Sequence, residues 1–369
     1  MIHYCYITGL YSRYDVLMYE RQGKSLVEAG YKVTYIVCDD KPDEVSEGIN
    51  IISTCYVPKS RLDRFLHTKS ILLKIALEQD ADIYQISDPE LIDLVDIFKK
   101  YHKKVIFNMR EFYPTMIARK SYIPRQVRGL VGKWYERKLI KQLPKYDAVF
   151  TVTDWILKIL KDKYRVHQVH LLTNFPRVSN NYCKTFEEYE CRGNVLFYEG
   201  TIYGCSRQEN VMKALEQIPD IHYLLAGKME SSVLPIKSMP SWSKVEFIDG
   251  FKLSELPGLF ARASICNVFR DFEGEDGSFG VLKVFESMEA ALPVLFANVP
   301  LYREINEKYH CGICVDPNNV ESIKAAILYL QKNKKEAYEM GQRGREAVIK
   351  EFCWERQAKK YIEIINRLE

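Results

Sequence analysis

Short apolar runs alternate with amphipathic stretches along the whole chain, and this alternation is the strongest constraint on its fold. Strands buried on both faces read as unbroken apolar runs, and covering helices read with a 3.6-residue period. Their regular succession describes a mostly parallel sheet clothed by helices, an α/β architecture. In the first half the spacing predicts strands over 2–8, 32–38, 49–56, 82–86, 103–108, 147–152 and 167–172. The stretch 173–193, with Pro176, paired asparagines and a short charged run, breaks the rhythm and reads as a linker. A second alternating set then begins at Val195: VLFYEG, IHYLLAG, VEFIDG, ASICNVF and PVLFAN, with helices near 206–217, 253–262, 281–291 and 319–332.

A length of 369 residues exceeds what one hydrophobic core serves, so the two sets are expected to be two domains. The expected division is 1–178, a linker at 179–193, a second domain over 194–350, and a C-terminal helix over 351–369 free to pack back on the first domain. No apolar run approaches the roughly 20 residues that span a bilayer, and MIHYCYITG is too short and polar for a signal peptide, so a cytoplasmic protein is expected. The ten cysteines lie mostly in strand-like runs, where reduced thiols act as small buried hydrophobes. Cys311 and Cys314 form a lone CxxC without a second pair, and no metal is expected.

In open α/β sheets ligands bind beyond the carboxyl ends of the strands, so the strand-to-helix junctions are where chemistry is sought. The first junction, ITGLYSRYD, holds only Gly9 and lacks the GxGxxG fingerprint, which argues against a dinucleotide oxidoreductase. The junction FRDFEGEDGSFGVLKVFESMEAALPVL is richer. An acidic, glycine-bearing loop leads to a helix start at Gly280 and Val281, whose free amides suit a diphosphate. Lys283 and Glu286, three apart, share one face of that helix. An ammonium toward phosphate and a carboxylate toward ribose hydroxyls is what a nucleoside diphosphate requires. A surface ion pair is the plainer alternative on spacing alone.

KVFESMEAALPVL resembles the donor motif of glycosyltransferase family 4, with Lys, two residues, Glu, a small-residue helix turn, then Pro-Val opening a strand. The resemblance runs along nearly the whole chain. VLFYEGTIYGCSRQENVMKAL is similar to the family's strand, glycine turn and basic residue, which implies Arg207 at the diphosphate. HYLLAGK and VEFIDGF look like its next strand ends, implying a nucleobase pocket near Gly250 and Phe251. DIYQISDPELIDL and KKVIFNMREFYP look like its acceptor-side junctions.

The resemblance implies two Rossmann-like domains facing each other across a cleft (GT-B), and a nucleotide-sugar donor, with UDP the commonest choice. It also implies retention of configuration, no metal or other cofactor, and a glycan or lipid-linked acceptor of surface polysaccharide assembly. Gly9, Arg207, Gly250, Phe251, Gly280, Val281, Lys283 and Glu286 are the expected donor contacts. Counting eight back from Glu286, where relatives carry another glutamate, gives Ser278; Glu275 or Asp276 are the substitutes. Where relatives carry a histidine this chain has Arg110, followed by Glu111. Glu111 or Asp88 would orient or deprotonate the acceptor hydroxyl while Arg110 holds a phosphate, or Arg110 makes a structural contact with a carboxylate. An epimerase on the same scaffold and a non-catalytic donor-binding subunit are the rival readings.

Residues 1–178 carry 29 Lys/Arg against 21 Asp/Glu, a net +8, while the rest of the chain is net −4. Arg119, Lys120, Arg125, Arg128, Lys133, Arg137, Lys138 and Lys141 fall within 115–143 against Glu136 alone, with Leu130, Val131, Trp134 and Tyr135 at helical spacing. No nucleic-acid motif accompanies them. The expected partner is an anionic membrane surface, at the inner face of the cell membrane, with a plain core-facing stripe as the alternative.

Overall fold

The computed structural model describes residues 1–118, 123–180, 182–270 and 282–368. The chain divides into two compact units. The first comprises Met1–Asn174 together with the residues from Arg356 onward, and the second takes the described residues between Phe175 and Glu355. The stretch 179–193, expected as a linker, belongs to the second unit. There Phe186–Glu190 forms a helix closed by a reciprocal capping box between Thr185 and Glu188.

Among the described residues the first unit has an eight-stranded sheet. Its strands are β1 (His3–Thr8), β2 (Lys32–Val37), β3 (Glu44–Ser46), β4 (Ile49–Ser53), β5 (Ile83–Ile86), β6 (Lys104–Met109), β7 (Ala148–Thr151) and β8 (Val169–Leu171). Their order is β3-β4-β2-β1-β5-β6-β7-β8, and only the β3–β4 pair is antiparallel. The sequence reading missed β3. It is a three-residue edge strand between Pro42 and Gly48, too short and polar to show a period.

Period-2 alternation sends Tyr4 and Tyr6 of β1 to one face and Cys5 and Ile7 to the other, so each face has its own core. The tyrosine face is covered by the C-terminal helix, whose Tyr361, Ile364 and Ile365 are buried there. The Tyr361 and Tyr6 hydroxyls are 2.9 Å apart, and the Lys360 ammonium donates to the Leu171 carbonyl at 2.8 Å. The last helix thus completes the first unit.

The second unit has six strands among the described residues: β9 (Val195–Glu199), β10 (His222–Ala226), β11 (Val245–Ile248), β12 (Ile265–Val268), β13 (Val294–Ala297) and β14 (Gly312–Val315). They run in the order β11-β10-β9-β12-β13-β14, and all pairs are parallel. In both sheets the direction of strand addition reverses at one place, between β1 and β5 in the first unit and between β9 and β12 in the second. Crossovers leave to opposite faces there, so a crevice opens beyond those strand ends.

Candidate active site

The reversal point of the first unit is closed by a saturated polar network. Asp88, two residues beyond β5, is fully buried. Its carboxylate accepts from the Thr8 hydroxyl at 2.7 Å and the Gly9 amide at 2.6 Å, and Thr8 Oγ1 accepts in turn from the Leu10 and Tyr11 amides. Burial, then Glu90, pushes the Asp88 carboxyl up to about 7, against those two hydrogen bonds. Both oxygens face inward, so Asp88 is placed to hold the loop after β1 rather than to meet a substrate hydroxyl. Gly9, expected at the donor, is the residue held.

Arg110 follows β6. Its Nη1 donates to both oxygens of Asp15 at 2.9 Å, and its guanidinium lies 4.1 Å over the Tyr11 ring. Burial works against this charge, but Asp15 and Tyr11 outweigh it and keep Arg110 firmly protonated. Of the two expectations for Arg110, the structural contact with a carboxylate is the one observed. The partner, Asp15, was not singled out from the sequence because it lies 95 positions away, although it stands in the same ITGLYSRYD junction as Gly9. Glu111, next in the chain, is exposed.

The reversal point of the second unit has a different character. Lys283 stands in the first turn of the Leu282–Glu289 helix, and its ammonium bonds the Tyr198 hydroxyl at 3.1 Å while lying 4.4 Å from the centre of the Tyr198 ring. A β-carbon on Gly200 would sit 2.7 Å from that ammonium, so glycine makes the room the lysine occupies. Gly200 also has φ +93°, which a side chain would resist. Glu199 ends β9 and is only 9% exposed; its Oε1 is buried and has no hydrogen-bond partner among the described residues. Burial pushes the Glu199 carboxyl above its usual range, with Lys283 pulling the other way. Burial works against the Lys283 charge too, yet Tyr198 and Glu199 hold it above an ordinary lysine, while Arg270 opposes them.

Tyr198, Glu199, Gly200 and Arg270 were not among the sequence-derived candidates. The available signal was a glutamate ending the apolar run VLFYEG immediately before its glycine. Glu286 is buried one turn beyond Lys283 on the same helix. Arg207 precedes the Gln208–Glu216 helix and lines a groove of about 480 Å³ with Lys213, Val233, Ile236 and Met239. Gly250 and Phe251 follow β11, and Phe251 packs against the core of the unit. Gly280, Val281, Glu275, Asp276 and Ser278 lie outside the described residues, as do Arg119 and Lys120 of the basic segment.

The rest of that segment forms the helix Arg128–Gln142, which buries Gly132, Tyr135, Leu139 and Gln142. Of the four apolar residues noted at helical spacing only Tyr135 is fully buried. Leu130 is 68% and Trp134 56% exposed, so most of that stripe does not serve the core. Arg125, Lys133, Arg137 and Lys141 are exposed beside them. Arg128 donates to the Ile123 carbonyl, and Lys138 reaches Asp93 at 3.5 Å with the Trp134 ring nearby. Among the described residues no helix is long and apolar enough to cross a membrane.

Two family models match the chain: Glycosyltransferase Family 4 over residues 19–175 and Glycosyl transferases group 1 over residues 189–347. No curated protein matches the sequence. Solved structures do match in fold. Sucrose-phosphate synthase from Thermosynechococcus elongatus has a TM-score of 0.77 at 15% identity, covering 100% of this chain and 99% of its own. WaaG, a glycosyltransferase involved in lipopolysaccharide biosynthesis, has a TM-score of 0.71 at 15% identity, covering 99% of each chain. HepE from Anabaena, solved in complex with UDP-glucose, has a TM-score of 0.69 at 10% identity, covering 100% of each.

Proposed function

Since the chain is a glycosyltransferase of the GT-B type, we propose that it transfers a sugar from a UDP-linked donor to a glycan or lipid-linked glycan in surface polysaccharide assembly. The observation that carries the donor half is the Lys283 ammonium at the reversal point of the second unit, seated on the Tyr198 ring in the space Gly200 leaves, with Arg270 just beyond β12 opposing its charge. Two cations held close in a partly dehydrated crevice favour a dianionic ligand, and a diphosphate supplies that charge. The reading adds Arg207, at the start of the Gln208–Glu216 helix, as a further cation for the diphosphate, and Glu286 as a carboxylate for ribose hydroxyls. With these cations neutralising the leaving diphosphate, the reading needs no metal, and it includes retention of configuration. In the first unit the exposed Glu111 is the group assigned to the acceptor hydroxyl. Asp88 and Arg110 are reassigned to positioning the loop after β1.

The same reading places the enzyme on an anionic membrane surface through the outward face of the Arg128–Gln142 helix. Exposed Leu130 and Trp134 flanked by Lys133, Arg137 and Lys141 combine apolar insertion with about 1 kcal/mol of lipid attraction per cation. The deciding experiment screens nucleoside diphosphate sugars by thermal shift, then follows UDP release and product formation with lipid-linked acceptors, with and without anionic liposomes. A true donor at a hundred times its Kd stabilises the fold by about 2.7 kcal/mol. Interconversion of the nucleotide sugar without transfer would replace this reading with an epimerase, and donor binding without turnover would replace it with a binding subunit.

A further inference from the structure

The end of β9 spends three consecutive residues on one lysine. Tyr198 offers its hydroxyl and ring face to the Lys283 ammonium, and Gly200 leaves the space in which that ammonium sits. Between them Glu199 is buried with an oxygen that has no hydrogen-bond partner among the described residues. A buried carboxylate left this way is costly unless a nearby positive charge compensates it. Lys283 is the cation whose charge acts on it. The backbone enforces the arrangement. A β-carbon on Gly227, at the end of the neighbouring β10, would fall 2.1 Å from the Gly200 carbonyl oxygen, so the two strand ends are locked together under the lysine.

We propose that Tyr198, Glu199 and Gly200 form a cradle that presents Lys283 as a preformed cation, with Glu199 as the positioning residue that keeps it charged before the donor arrives. This rests on the reading of Lys283 as a donor diphosphate contact. Three other described groups bear on the pair. Arg270 opposes the lysine's charge, Arg270 and Tyr198 act on the buried Tyr302 phenol, and Glu199 acts on the buried Cys266 thiol of β12. None of these three can supply the missing anion while in its neutral thiol, neutral phenol or cationic form. Without Glu199, burial and Arg270 both drive Lys283 toward its neutral form, and of the described groups whose charge is seen to act on it the Tyr198 hydroxyl and ring are left to oppose them. A neutral amine binds a diphosphate poorly, so the loss must appear on the alkaline side.

The test titrates UDP binding to the full chain by calorimetry between pH 7 and about 9, in the wild type and in Glu199→Gln, Glu199→Asp, Tyr198→Phe and Lys283→Ala. UDP's own ionisations cancel when each variant is divided by the wild type at the same pH. Glu199→Gln is expected to bind UDP within about twofold of wild type at pH 7 and about tenfold more weakly near pH 9, as a lysine lowered toward that range loses its proton. Glu199→Asp recovers part of the alkaline affinity. Tyr198→Phe, which keeps the ring and loses the hydroxyl that helps hold the lysine charged, weakens binding about threefold at pH 7 and further on the alkaline side.

Lys283→Ala separates the two levels of the idea. If it binds UDP as well as wild type, the donor-site reading itself fails. If it loses UDP while the Glu199→Gln profile superimposes on wild type, the cradle is wrong and the donor reading stands. Should Glu199→Gln not fold, as judged by circular dichroism, Glu199→Asp and Tyr198→Phe carry the test. Wild-type-like UDP binding by both at every pH overturns the cradle.

Discussion

The two reversal points have the same topology and opposite states of satisfaction. At the ends of β1 and β5, Asp88 has both oxygens engaged and Arg110 is clasped by Asp15 and stacked on Tyr11. At the ends of β9 and β12 a lysine leans on an aromatic ring, and a buried carboxylate keeps an oxygen without a hydrogen-bond partner among the described residues. A closed network spends its interactions on holding a loop in one geometry. An open one leaves charge for a ligand. By this comparison, changes in the first unit's network act on stability, and changes in the second unit's cluster act on donor binding.

The largest effect expected on stability comes from Asp15→Ala. It leaves Arg110, whose side chain is 17% exposed, charged without its carboxylate. Breaking a fully buried pair costs 3–5 kcal/mol, and the partial exposure here puts the loss near the bottom of that range, at about 3 kcal/mol in urea unfolding. UDP affinity stays within about twofold. A large loss of UDP binding by a stably folded Asp15→Ala protein would break the comparison, since Arg110 or its loop would then belong to the donor site.

Asp88→Asn comes next. An amide puts an NH2 with no acceptor where the carboxyl, ionised or protonated, has a second oxygen, so either the Thr8 or the Gly9 bond is lost, at about 1–3 kcal/mol. The pH dependence tests how the burial is resolved. With its carboxyl raised to about 7 in the fold and near 4 when unfolded, Asp88 binds more proton in the native state across that window. Its contribution is full below about pH 4 and is lost as pH rises through about 7. The stability gap between wild type and Asp88→Asn therefore narrows from pH 5 to pH 8. A gap that widens instead would mean that the two hydrogen bonds overcome burial and keep the carboxylate ionised.

How far the sequence reaches into these sites follows from where their information lies. Strands such as β1 and β9 were legible because burial on both faces leaves an unbroken apolar run, and Lys283 with Glu286 because helical spacing is local. Asp15 with Arg110 was not legible as a pair, since parallel strand order brings together junctions that are far apart in the chain. Asp88 was singled out at its junction, but its contacts with Thr8 and Gly9 were not legible. Its position after β5 is local information, but its inward orientation depends on Thr8 and Gly9 of β1 and its loop. Glu199 and Arg270 were visible as charges at strand ends, yet only the order β9-β12 makes them neighbours of Lys283. Leu130 and Trp134 show the limit of periodicity, which tells that residues share a face and not whether that face is inside.

The smallest effect sharpens the comparison from the second unit's side. Glu286 is as buried as Glu199, at 9% exposure, and lies one turn from Lys283. If its carboxylate serves ribose hydroxyls, Glu286→Gln keeps the shape and hydrogen-bonding reach and forfeits only the charge assistance of those bonds. That difference is about 1 kcal/mol, or roughly fivefold in UDP affinity. Deoxyribose UDP analogues supply the internal control. An analogue lacking the contacted hydroxyl binds wild type and Glu286→Gln equally, because the interaction that the substitution weakens is already gone. A variant that loses stability while its UDP affinity holds would place Glu286 with Asp88, as a carboxylate that shapes its own unit, and the donor's ribose would have to be read by another group.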